Sequence, residues 1–132
     1  MIIVLDSSAA IEIVLKRAKA KKFEDSLLAG EKVITSDLYK IEIPNVLWKY
    51  YKAGFIEKDI TNKLLSLANN LIDEFVDIAE NNTESLNEAI RLNHSAYDML
   101  YFTLARRTGA VLMSLDEKLL ALAKKEKIET VK

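Results

Sequence analysis

Four carboxylates stand out by type and place: Asp6 in VLDSSA, Glu42 in KIEIPNVL, Asp98 in SAYDMLYF and Asp116 in LMSLDEKL. Asp6 directly follows the apolar run Ile2–Leu5, and Asp116 follows a second run, residues 110–114, by two positions. Asp98 falls in the first turn of an expected helix, and Glu42 lies inside another, between Ile41 and Ile43. None of the four has a Lys or Arg three or four residues away, the spacing at which side chains pair along a helix. Carboxylates brought together repel and do not all ionise unless a cation joins them. The chain has no Cys and one His, so a metal must be held mainly by oxygen, which suits Mg²⁺ or Mn²⁺. Such an ion activates water, orients a phosphodiester and neutralises charge on a leaving oxygen. Phosphate chemistry is therefore the chemistry these residues could perform.

A plainer role stays open for each acid. Asp at a helix start caps free N–H groups, and Ser95 with Asp98 fits a capping box. Glu42 is the acid that capping does not explain. Its helix is apolar around most of its circumference and is expected to be largely buried, where an unpaired carboxylate is costly. Its plainer role is to reach solvent or a distant Lys.

The elements that must position these acids follow from the hydrophobic pattern. Strands are expected at Ile2–Leu5, 32–35, 74–79, 110–114 and 129–131. Helices are expected at 9–29 with a break near the basic stretch 16–22, from Ser36 and Asp37 to about 53, and at 57–73, 82–93, 95–108 and 115–127. Pro44 should kink or split the second of these. Short apolar strands alternating with helices predict an α/β sandwich with a mainly parallel sheet. Ligands in such sheets sit beyond the carboxyl ends of the strands, where Asp6 and Asp116 fall.

With those four acids at those separations, and the pattern SAYDMLYFTLARRTGA around Asp98, the chain resembles the PIN domain family over nearly its whole length. It is most similar to the VapC-type toxins of prokaryotic toxin–antitoxin pairs. The resemblance implies a three-layer α/β/α sandwich with a parallel sheet of about five strands. It implies an endoribonuclease dependent on Mg²⁺ or Mn²⁺, homodimers, and inhibition by a VapB-like antitoxin whose tail enters the active site. Asp6, Glu42, Asp98 and Asp116 match the family's four acids, as catalytic and metal-holding residues. Ser8 matches the small polar position after the first Asp, and Ser114 the hydroxyl before the last; a helix cap is the alternative for either, and the expected role of Ser7. Pro44 departs from the usual small apolar residues after the Glu. The same pattern would serve a PIN nuclease of RNA maturation or decay without an antitoxin, or a catalytically silent PIN-like binding module.

Lys16, Arg17, Arg106 and Arg107 are candidate contacts to an RNA backbone, with a solvated helix face as the alternative. His94 is expected to be a surface or capping residue, and Tyr97 and Trp48 could stack on bases or pack in a core or interface.

Composition bounds the rest. A chain of 132 residues, half apolar and 30% charged, is expected to fold as a single domain, residues 1–132. No run approaches the roughly 18 apolar residues of a spanning helix, and no basic segment precedes the first apolar run, so the cytoplasm is the expected location. The formal net charge of −1 offers no global attraction for nucleic acid. Setting the four acids aside leaves 19 basic against 16 acidic residues, a formal +3. The near-neutral total thus averages a concentrated acidic site against a mildly basic remainder.

Overall fold

The computed structural model describes residues 1–131. Four short strands, β1 (Ile2–Leu5), β2 (Lys32–Ser36), β3 (Glu74–Val76) and β4 (Val111–Met113), form one sheet in the order β3-β2-β1-β4, and every pairing is parallel. Seven α-helices connect and flank them: α1 (Ser7–Val14), α2 (Ala20–Ala29), α3 (Tyr39–Lys52), α4 (Lys58–Asn70), α5 (Asn82–Leu92), α6 (Ala96–Thr108) and α7 (Glu117–Lys125).

Alternation along the strands sends neighbouring side chains to opposite faces. Ile3, Leu5, Val33 and Met113 pack with α1 to α4 on one side of the sheet. Val4, Ile34, Leu112 and Val76 pack with α6 and α7 on the other. Both faces are covered, which explains why the strands read as unbroken apolar runs. The three-layer α/β/α arrangement is the expected one.

The sheet has four strands instead of about five. Residues 129–131 reach β4 but register at a single bridge, Leu112 with Thr130. The segment leaves a left-handed turn at Lys127 (φ 61°), and only Leu112 exchanges backbone hydrogen bonds with it. Helix α3 runs unbroken through Pro44, which removes one N–H from the ladder without splitting the helix. Helix α6 stops at Gly109, whose φ of 66° closes the C-terminus in a left-handed cap.

Strand order sets the location of the site. The chain passes from β1 to β2 on one side, whereas β4 adds to β1 on the other, so the chain's direction across the sheet reverses between β1 and β4. At such a switch point the connections leaving neighbouring strands diverge and open a crevice beyond their carboxyl ends.

Candidate active site

Asp6 and Asp116 stand at that crevice. The Asp6 backbone N–H donates to the Met113 carbonyl (3.1 Å), tying the end of β1 to the end of β4. Asp6 is the N-cap of α1: its Oδ1 accepts from the Ala9 N–H (3.0 Å) and the Ser8 hydroxyl (2.7 Å). Asp116 is the N-cap of α7, accepting from the Leu119 N–H at 3.1 Å, again on Oδ1. The Ser8 hydroxyl also accepts from the Leu115 N–H (2.9 Å), and Ser114 Oγ accepts from the Asp116 N–H (3.0 Å). The two serines brace the turns after β1 and β4 against each other.

Asp98 enters from α6. Ser95 caps that helix, accepting from the N–H groups of Tyr97 (3.1 Å) and Asp98 (3.4 Å). The expected capping box is only half formed, because the Asp98 carboxylate turns to His94, with Oδ2 2.7 Å from Nε2. His94 is thus a partly buried partner of Asp98 and not a free surface side chain. One donor atom from each of His94, Asp98 and Asp116 lies within 4.8 Å of the other two.

Neither Asp6 nor Glu42 belongs to that trio, and Glu42, on α3, lies in a setting that differs from the expected one. The helix buries one stripe, Tyr39, Ile43 and Leu47, and leaves Ile41 and Trp48 more than half exposed, so Glu42 is only partly buried. It is also partnered. Its Oε1 accepts from the Tyr101 hydroxyl (2.6 Å) and from Ser7 Oγ (3.0 Å). Ser7 is therefore a donor to Glu42 and not the cap of α1. Glu42 also borders an open cavity of about 480 Å³ lined by Leu38, Ile41, Pro44, Asn45 and Tyr97.

The electrostatics reflect this crowding. Burial pushes the Asp6 carboxyl up from 3.8 to about 6; the hydrogen bonds of Ser114, Ala9 and Ser8 pull it back, and the Asp98 charge adds to the rise. Burial also raises Asp98, with the His94 hydrogen bond opposing and the nearby Asp116 reinforcing the shift. The Tyr101 hydroxyl is held protonated by burial and by the Glu42 carboxylate beside it. Among the described residues, no Lys or Arg forms an ion pair with any of the four acids. Oxygen donors crowded without a Lys or Arg beside them fit a divalent cation, and the cluster of His94, Asp98 and Asp116 could hold one.

A family model described as PIN domain matches residues 3–125. The chain belongs to the PIN domain family. It is 27% identical over 128 residues to Ribonuclease VapC3 of Pyrobaculum aerophilum, covering 90% of this chain and 92% of that protein. Its fold resembles the crystal structure of PAE2754 from Pyrobaculum aerophilum, with a TM-score of 0.73 at 23% identity over 90% of this chain and 82% of that one. It also resembles a chain of VapBC2 from Rickettsia felis bound to a promoter DNA fragment, with a TM-score of 0.68 at 16% identity over 98% and 97% of the two chains. At these identities the structural likeness speaks to the PIN fold.

The basic residues do not join this PIN site. Arg106 is eight residues beyond Asp98, about 12 Å along the axis of α6. It pairs with Glu84 (2.7 Å) and Glu88 (3.5 Å), while Arg107 donates to the Glu80 carbonyl (2.6 Å). Lys16 and Arg17 follow the C-terminus of α1, the end opposite Asp6, and the Arg17 guanidinium lies over the Tyr50 ring at 4.9 Å. Ser7, Tyr101 and His94 were not expected at the site. Tyr101 and His94 lie three residues after and four before Asp98, the spacing that shares a helix face, which was the available signal.

Proposed function

We propose that this chain, one PIN domain from end to end, is a VapC-type endoribonuclease requiring Mg²⁺ or Mn²⁺. In this reading it is a homodimeric cytoplasmic toxin, restrained by a VapB-like antitoxin. Relatives support the assignment by name, as Ribonuclease VapC3 and as VapBC complexes. The observation that carries the nuclease reading is the cluster of His94, Asp98 and Asp116 at the carboxyl ends of the strands, with the buried Asp6 carboxylate near enough to Asp98 to feel its charge and no Lys or Arg paired with any of the acids. Among the described residues, no helix is long and apolar enough to cross a membrane.

Asp6, Glu42, Asp98 and Asp116 would hold the cation. When bound, it supplies Lewis acidity to a phosphodiester and to the attacking water. The protein supplies position. Ser7 and Tyr101 fix Glu42 through one oxygen, while Ser8 and Ser114 keep the two strand ends in register. The N-termini of α1, α6 and α7 direct their partial positive charge toward the acids and toward a phosphate placed there. Water oxygen bonds to phosphorus as the bond to the 3′ oxygen breaks, and that oxygen takes up a proton. The products are a 5′-phosphate and a 3′-hydroxyl.

The test is cleavage of RNA with mapped ends by the wild type and Asp98→Asn, with and without Mn²⁺. Cleavage should need the metal, leave 5′-phosphates and vanish in Asp98→Asn while its circular dichroism stays native. Full activity in excess EDTA, or undiminished activity in the variant, would overturn the reading.

A further inference from the structure

The single histidine of the chain is placed to do more than brace an aspartate. We infer that His94 is itself a ligand to the catalytic cation, so that the site is a mixed nitrogen–oxygen site that favours Mn²⁺ over Mg²⁺. The inference rests on the metal-dependent nuclease reading above.

Three observations support it. First, the donor atoms come from two separate parts of the fold and still meet: His94 and Asp98, four residues apart at the start of α6, and Asp116 from the cap of α7. Second, their separations suit one coordination sphere. Donors side by side on a small divalent ion are about 3 Å apart, and opposite donors about 4 Å, given metal–ligand distances near 2 Å. The Nε2 to Oδ2 distance of 2.7 Å is that of neighbouring donors, and the trio's donor atoms all lie within 4.8 Å of one another, so a shift of under about 1 Å brings them onto one ion. Third, the backbone holds the ring in place. Asn93 adopts a left-handed conformation (φ 52°), and the His94 N–H donates back to the Ala89 carbonyl (3.1 Å). The turn leaves the imidazole only 13% exposed.

The chemical consequence is selectivity. Mg²⁺ prefers an all-oxygen shell, whereas Mn²⁺ and the later transition metals accept imidazole nitrogen. Replacing an oxygen or water ligand with Nε2 therefore shifts preference toward Mn²⁺. Were His94 to act only through its hydrogen bond to Asp98, its loss would weaken both ions alike.

The deciding experiment is electron spin-echo envelope modulation on the full chain loaded with Mn²⁺, combined with Mn²⁺ and Mg²⁺ binding by wild type and His94→Gln. The wild type should show modulation from a directly bound ¹⁴N, absent in His94→Gln. The substitution should weaken Mn²⁺ binding about tenfold or more while changing Mg²⁺ binding about twofold or less. Bound Mn²⁺ without ligand nitrogen in the wild type overturns the inference, and so does equal weakening of both ions. The wild-type spectrum decides even where the variant folds poorly. Ligand nitrogen without RNA cleavage would refute the nuclease reading alone, and metal-dependent cleavage without ligand nitrogen would refute the His94 assignment alone.

Discussion

Asp6 is a carboxylate that the fold holds at a cost, and removing its charge should stabilise the protein while abolishing its activity. The side chain is 4% exposed, and its pKa in the folded chain is about 6 against an ordinary 3.8. Between those values the folded state binds a proton that the unfolded state has released, so stability falls as pH rises through this window. Near pH 7.5 the full difference applies, about 3 kcal/mol, and near pH 5 about half of it remains. Asn at this position carries no charge, and its Oδ1 can still accept from the Ala9 N–H and the Ser8 hydroxyl. Asp6→Asn should therefore exceed the wild type by up to about 3 kcal/mol near pH 7.5 in EDTA, or roughly 10 °C in Tm for a chain of this length. The advantage should shrink to about 1.5 kcal/mol near pH 5. Urea titrations followed by far-ultraviolet circular dichroism measure both values. A variant no more stable than the wild type near neutrality, or an advantage that does not change with pH, would refute the reasoning.

Two further outcomes are expected. Tyr101→Phe removes the shorter of the two hydrogen bonds to Glu42, one made to a charged acceptor, and should slow RNA cleavage about tenfold with little change in KM; unaltered kcat would show that Ser7 suffices. Arg106→Ala breaks surface ion pairs to Glu84 and Glu88 and should cost about 0.5–1 kcal/mol in denaturant unfolding. RNA affinity and its salt dependence should be unchanged, whereas a shallower salt slope would assign Arg106 to the substrate path.

The parts of the site that could be read in advance are those set by local chain direction. A bulky apolar run of four or five residues closed by Asp or Ser suits a buried strand, and an acid just after it falls at the carboxyl edge; this placed Asp6 and Asp116 without knowledge of tertiary contacts. What escaped depended on partners distant in sequence. Ser7 meets Glu42 across 35 residues and Tyr101 meets it across 59, so neither contact leaves a local trace. The burial of α3 was overestimated because an apolar residue facing solvent and one facing the core look the same in sequence. Ile41, Trp48 and Tyr51 are exposed apolar residues of this kind. Arg106 and Arg107 looked free because their partners Glu84, Glu88 and the Glu80 carbonyl are reached only through the packing of α5 on α6. The missing fifth strand is a matter of extent: residues 129–131 have the right direction but only one paired position.

Capping and metal binding, treated in the sequence as competing roles for the aspartates, turn out to be compatible because a carboxylate has two oxygens. Asp6 and Asp116 make their backbone capping bonds through Oδ1, so the cap does not require Oδ2. The cap also fixes the orientation of the group, since a side chain bonded to the first turn of its own helix cannot swing away from the site. The helix in turn moderates the charge. Asp6 and Asp116 cap α1 and α7, and Asp98 sits in the first turn of α6, so each faces the positive end of a helix dipole equivalent to about half an elementary charge. That is too little to offset a full carboxylate charge on each, and burial, reinforced by the neighbouring acids, still raises the pKa of Asp6 and Asp98. The fold thus stabilises most of the acidic cluster and leaves a deficit that a divalent cation can fill. Metal binding should therefore raise stability most at the pH where the empty site is most strained, above the Asp6 transition near 6.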